Sequence, residues 1–122
     1  MFRQIHTSLW REDWFTALSA EGKLIFLFLV TNAYIQPTGF IPITPQAIAG
    51  ETGLTEEATS KALASLNGKV MAFPGWGLWV KRFPKWQGKG PKWERAQEIT
   101  LERLPEVVRR ALGLKWDAGV EG

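Results

Sequence analysis

The sequence predicts a mainly helical protein with a small antiparallel sheet and a helical extension at its C-terminal end. Three patterns carry that reading. Two capped helical segments, about residues 46–52 and 56–66, lie on either side of Gly53-Leu54. Two strand-like runs, 69–73 and 78–83, flank the turn residues Pro74-Gly75-Trp76-Gly77. Charged and apolar residues then alternate at helical spacing over 92–112. A chain of 122 residues holds one compact core, so residues 1–87 read as the domain and 88–122 as a basic linker and helical extension.

Taken in order, Trp10, Trp14, Phe15 and Leu18 suit one face of a short helix over about residues 9–17. Ser19 then offers an N-cap with Glu21 in the first turn, and helix follows to about Asn32. Its centre, Leu24 to Val30, is seven apolar residues without a polar face. A helix apolar all round packs at the centre of its domain, whereas a membrane span takes about 20 such residues. Pro37-Thr38-Gly39 ends the pattern, and Phe40-Ile41-Pro42-Ile43 reads as a short strand that Pro42 confines to an edge.

Thr44-Pro45 is a helix start, threonine as cap and proline in the first position. Gly53 stands where a left-handed C-terminal residue belongs. Thr55 caps the next helix, and Glu56 and Glu57 favour its positive end. Ala58, Ala62, Leu63 and Leu66 make the inner face of that helix, which Asn67-Gly68 stops. After the hairpin, Pro84 to Lys92 has the glycines and prolines of an irregular segment. A polar helix follows over about 93–103, Pro105 interrupts it, and a second short helix covers 106–112. Residues 113–122 carry few anchors and should fray.

Composition excludes several classes. With 45% hydrophobic and 22% charged residues the chain is globular, not disordered. The absence of cysteine rules out a disulfide scaffold, a thiolate zinc site and a cysteine nucleophile, and fits the cytoplasm. The single histidine, His6, allows no multi-histidine metal site and reads as a surface or strand residue. The start, Met1 to His6, lacks the pattern of a signal peptide. Gly88-Lys89-Gly90 lacks the spacing of a phosphate-cradling loop, and Asp13 and the glutamates are scattered over helix surfaces. The sequence therefore predicts no catalysis, no cofactor and no metal in a soluble, cytoplasmic protein.

Charge is where the sequence speaks of a partner. The net charge is +3, but residues 1–80 hold five Lys/Arg against six Asp/Glu while 81–122 hold ten against six. Local excess of this kind makes a phosphate-facing surface. Lys81, Arg82, Lys85, Lys89, Lys92 and Arg95 follow one another with only Glu94 against them, and Trp86 and Trp93 are interleaved as residues that stack on bases or cover the core.

Two short helices about a Gly-Leu turn, followed directly by a hairpin, are a helix-turn-helix with a wing. Three segments strengthen the reading: Ile5-His6-Thr7-Ser8-Leu9-Trp10-Arg11-Glu12-Asp13-Trp14-Phe15, Leu18-Ser19-Ala20-Glu21-Gly22-Lys23-Leu24 and Leu78-Trp79-Val80-Lys81-Arg82-Phe83. Together these resemble the N-terminal winged-helix domain of phage replication initiators, replisome organisers related to DnaD-like primosome proteins. The resemblance covers roughly residues 3–104. It implies a winged helix that engages origin DNA or assembles subunits. In that family a separate C-terminal region contacts single strands or the helicase; these residues correspond to the winged-helix module, excised or stand-alone.

The expected function is a non-enzymatic DNA-binding module, with double-stranded DNA ahead of single-stranded. The helix over 56–66 would offer Thr55, Thr59, Ser60 and Lys61 to the groove, or else serve as a scaffold or protein-contact helix. Trp76 at the wing tip would anchor DNA or another subunit, or fold back on its own sheet. The alternative is a module that oligomerises or grips a host replication or transcription protein. The apolar stripe of 92–112 would cross to a second chain in a homodimer, or fold back as cover.

Overall fold

The structure, a computed structural model, describes residues 3–87 and 90–112. A 3-10 turn, Thr7–Arg11, leads into α1 (Asp13–Thr16), α2 (Ala20–Thr31), β1 (Phe40–Ile41), α3 (Pro45–Thr52) and α4 (Glu56–Ser65). Then follow β2 (Val70–Phe73), β3 (Gly77–Val80), α5 (Phe83–Gln87) and α6 (Pro91–Glu102). A last helix, α7, covers 106–112. The strands form one antiparallel sheet in the order β1-β3-β2, with Phe40 opposite Trp79 and Val70 opposite Val80. Helices α2, α3 and α4 pack on one another beside this sheet. The protein is thus mainly helical with a small sheet, ordered as a helix-turn-helix followed by a wing and a helical extension.

The helix starts are those the sequence encodes. Ser19, Thr44 and Thr55 each accept a hydrogen bond from the backbone N–H three residues on, at 3.0–3.1 Å. Such caps satisfy an N–H that would otherwise lack a partner at the helix end. Gly53 closes α3 in the left-handed conformation (φ 81°), so the chain can turn between α3 and α4. Where α2 passes α4, a side chain on Gly22 would come within 3.2 Å of Ser65 Oγ. The hydrogen at Gly22 is what lets the two helices cross closely.

The sheet divides two cores. On its inner face Leu78 and Val80 join Phe15, Ile25, Phe26, Leu29, Ile41 and Ile48, all buried. On its outer face Phe40 and Trp79 meet Leu104, Val108 and Leu112, with Leu101, Met71 and Phe73 packed alongside. Trp79 buries its ring there, and its Nε1–H donates to Thr38 O at 3.0 Å. The C-terminal part of the stripe, Leu101, Leu104, Val108 and Leu112, therefore finds an apolar partner in the chain's own sheet, while no residue of α6 is fully buried.

Four local expectations are corrected. The helix over 9–17 is two pieces, because Glu12 is extended (ψ 127°) between the 3-10 turn and α1. Trp10, placed by its spacing on one helix face with Trp14 and Phe15, is instead 56% exposed and touches Phe15 only edge-on. The strand expected over 78–83 stops at Val80, and the segment expected to be irregular begins with α5. The reason is side-chain alternation. Val80 faces the inner core, so a continued strand would send Phe83 to the outer face. Arg82 adopts a left-handed conformation instead (φ 64°), and Phe83 enters the inner core fully buried. The fourth correction, at Thr59, concerns the interface and is described with it.

Helix α5 also fastens the start of the chain. The Gln4 N–H donates to Gln87 Oε1 and Gln87 Nε2 donates to Gln4 O, both at 2.7 Å. Beside this pair Arg3 donates to Ile35 O at 2.8 Å and lies over the Phe83 ring, 5.7 Å from its centroid. Burial pulls the Arg3 guanidinium below its ordinary pKa, yet an arginine stays charged in any aqueous setting.

Candidate nucleic-acid interface

Helix α4 is held by its inner side, where Thr59, Ala62 and Leu66 are buried. Thr59 was expected to face the groove. It is fully buried, on the side that α2 and α3 cover, and its hydroxyl finds no hydrogen-bond partner. Positions 59, 62 and 66 lie three and four apart, on one side of a helix, so the periodicity overrides the polarity of threonine. Thr55 is exposed, but its hydroxyl is committed to the cap. The outward face keeps Ser60 and Lys61, flanked by the exposed carboxylates of Glu56 and Glu57, with Glu51 exposed on α3. Three carboxylates against one ammonium make this face unfavourable for phosphate.

The wing is short. Pro74 and Gly75 form its turn, closed by the Trp76 N–H donating to Phe73 O at 2.9 Å. Trp76 sits at the tip, 49% exposed, and does not fold into either core. At the other end of the hairpin, Lys81 is half-buried and Arg82 exposed. Lys85 lies on α5, its side chain outside what is described, and Lys89 lies outside the described residues. Lys92 and Arg95 stand exposed on the first turns of α6, where Arg95 reaches Glu98 at 3.4 Å in an ion pair open to solvent.

The structure therefore gathers Lys81 and Arg82 at the end of the hairpin and sets Lys92 and Arg95 on a separate helix. Ser60 and Lys61 are on a third surface. The interleaved tryptophans have structural duties: Trp86 packs against the inner core and meets Phe26 edge-on, and Trp93 Nε1–H donates to Pro84 O at 3.3 Å.

One cation was missed. The Lys81 N–H donates to Lys69 O at 3.0 Å, so Lys69 leaves the backbone beside Lys81. Its ammonium lies 4.9 Å from the centroid of the Trp14 ring, a cation–π contact. The hairpin register, carried one step beyond Val70 opposite Val80, sets position 69 against 81, which is the signal that points to it.

Among the described residues, no group of histidine and carboxylate side chains is placed to hold a metal ion, and no helix is long and apolar enough to cross a membrane. Comparison with protein-family models, with curated proteins and with solved structures returned no match.

Proposed function

We propose that the chain is a non-enzymatic winged-helix module that binds DNA in replication initiation of a phage or prophage, in the cytoplasm of the bacterial host. The observation that carries the reading is the contrast between two exposed surfaces. The helix-turn-helix face is acidic, while the end of the wing presents Lys81 and Arg82 with no carboxylate paired to them among the described residues; on α6, Lys92 and Arg95 are accompanied by exposed Glu94 and Glu98. Binding on this reading is electrostatic and reads the phosphate backbone more than base edges. Duplex DNA fits better than single strands, because Trp86 and Trp93, the two tryptophans interleaved with the basic residues, are engaged within the fold.

A mobility-shift titration at two salt concentrations tests it. Replacing Lys81, Arg82, Lys85 and Lys89 with alanine should weaken binding and flatten its salt dependence. Unchanged affinity would reject the proposal.

A second reading rests on the same acidic face. Glu51, Glu56 and Glu57 with the exposed rings of Trp10 and Tyr34 suit a protein-interaction module that contacts a host replication or transcription protein or another copy. Light scattering separates the two. A tight oligomer indifferent to DNA supports this second reading, and a DNA-binding monomer removes self-association from it.

A further inference from the structure

Three cations leave the backbone at the open end of the wing: Lys69 before β2, and Lys81 and Arg82 after β3. The ion pairs among the described residues are Arg95–Glu98 and Arg110–Glu106, so none of the three is neutralised by a carboxylate. Two features of this corner work against folding stability. Lysines stand beside each other on hydrogen-bonded backbones, and like charges so placed repel. Arg82, the one residue other than glycine with positive φ among those described, takes a conformation that side chains disfavour. The left-handed turn is explained by the burial of Phe83, but glycine would make it at less cost. Among the described residues no ion-pair partner explains an arginine there, and its side chain is exposed. Local strain of this kind points to a role outside the fold. Lys69 is oriented by the Trp14 ring.

We infer that Lys69, Lys81 and Arg82 form a seat for the phosphodiester backbone of a nucleic acid at the open end of the hairpin. The inference rests on the nucleic-acid reading above and places the contact on neither the exposed face of α4 nor the wing tip. Four strand residues separate Lys81 from that tip, about 14 Å at the ordinary strand rise. Arg82 is the anchor, because its left-handed backbone fixes where the guanidinium leaves the surface.

The test uses the full chain, a 20-base-pair duplex of mixed sequence, and fluorescence anisotropy across a salt series. Arg82→Gly is the informative variant, because glycine keeps the left-handed turn. It should melt no lower than the parent and lose about 0.9 from the slope of log K against log salt, about fivefold in affinity at 0.15 M. The triple change Lys69→Gln, Lys81→Gln, Arg82→Gly should flatten the slope by about 2.7 and weaken binding on the order of 100-fold. Lys23→Gln, which removes an equal charge from α2, should leave the slope unchanged.

A parent chain that binds the duplex with a slope shared by all variants overturns the inference alone. A parent that binds no duplex overturns the nucleic-acid reading and the inference with it. Inorganic phosphate, matched in ionic strength to chloride, should displace the duplex no better than chloride does. Displacement well beyond chloride would make this a small-anion site and overturn its assignment to a nucleic acid.

Discussion

Thr59→Val should stabilise the protein. Thr59 lies at 0% exposure on the inner side of α4, and its hydroxyl has no hydrogen-bond partner. Valine has nearly the same shape, keeps the branched β-carbon and has a similar helix propensity, so packing and backbone are preserved. What changes is the hydroxyl. Burying one unpaired costs about 1–3 kcal/mol, and valine removes that penalty while adding an apolar contact. A net gain of about 1–2 kcal/mol is expected. Unfolding entropy of about 2.1 cal/mol/K per residue over 122 residues converts this to a rise in Tm of roughly 4–8 °C. Circular dichroism melts and urea titrations read it directly. Thr59→Ser, which keeps the hydroxyl and loses a buried methyl, should move the other way by about 1 kcal/mol. DNA affinity of the valine variant should equal that of the parent. A fall in Tm of the valine variant would show that the hydroxyl is satisfied inside the protein, and would refute the reasoning.

Three further outcomes are expected. Gln87→Ala removes both bonds to Gln4 and should cost about 1–3 kcal/mol, with the Gln4 amide losing hydrogen-exchange protection; continued protection would deny the clasp its role. Gly39→Ala places a methyl 2.5 Å from Val80 O at a backbone φ of 91°, so about 2–4 kcal/mol should be lost in urea titrations; a smaller loss would mean that β1 and β3 separate easily. Val108→Asp puts a charge into the outer core and should cost more than about 3 kcal/mol, with a red shift in Trp79 emission; an unshifted spectrum would mean that α7 does not cover the sheet.

Much of the fold was legible because local chemistry fixes where elements begin and end. Ser19, Thr44-Pro45 and Thr55 mark helix starts, Gly53 marks a stop, and Pro74-Gly75 marks a hairpin, each by a hydrogen bond or a dihedral its own residues determine. What was not legible depends on contacts distant in sequence. Nothing within residues 78–83 announces that Phe83 is needed in the inner core, so the strand looked longer than it is. The apolar stripe after Trp93 was visible, but its partner surface, the outer side of the sheet, exists only once β1, β3 and β2 are assembled. The interface was read in part. The basic residues following β3 form a visible cluster in the sequence, whereas Lys69 joins them through strand pairing alone, and the polarity of Thr59 suggests an outward position that its helical spacing from Ala62 and Leu66 denies.

The late position of α7 matters during synthesis. Once β3 has emerged from the ribosome the sheet can pair, but Phe40, Met71, Phe73 and Trp79 still face water. Their cover arrives roughly thirty residues later, which at about 5–20 residues per second is a delay of about 2–6 s. Through that interval the nascent chain carries a bare aromatic sheet whose β2 strand is unpaired along one edge. A ribosome stalled with β3 emerged and α7 not yet emerged would thus display a surface prone to capture by chaperones or by a neighbouring nascent chain, and release from it would coincide with the emergence of Leu104, Val108 and Leu112.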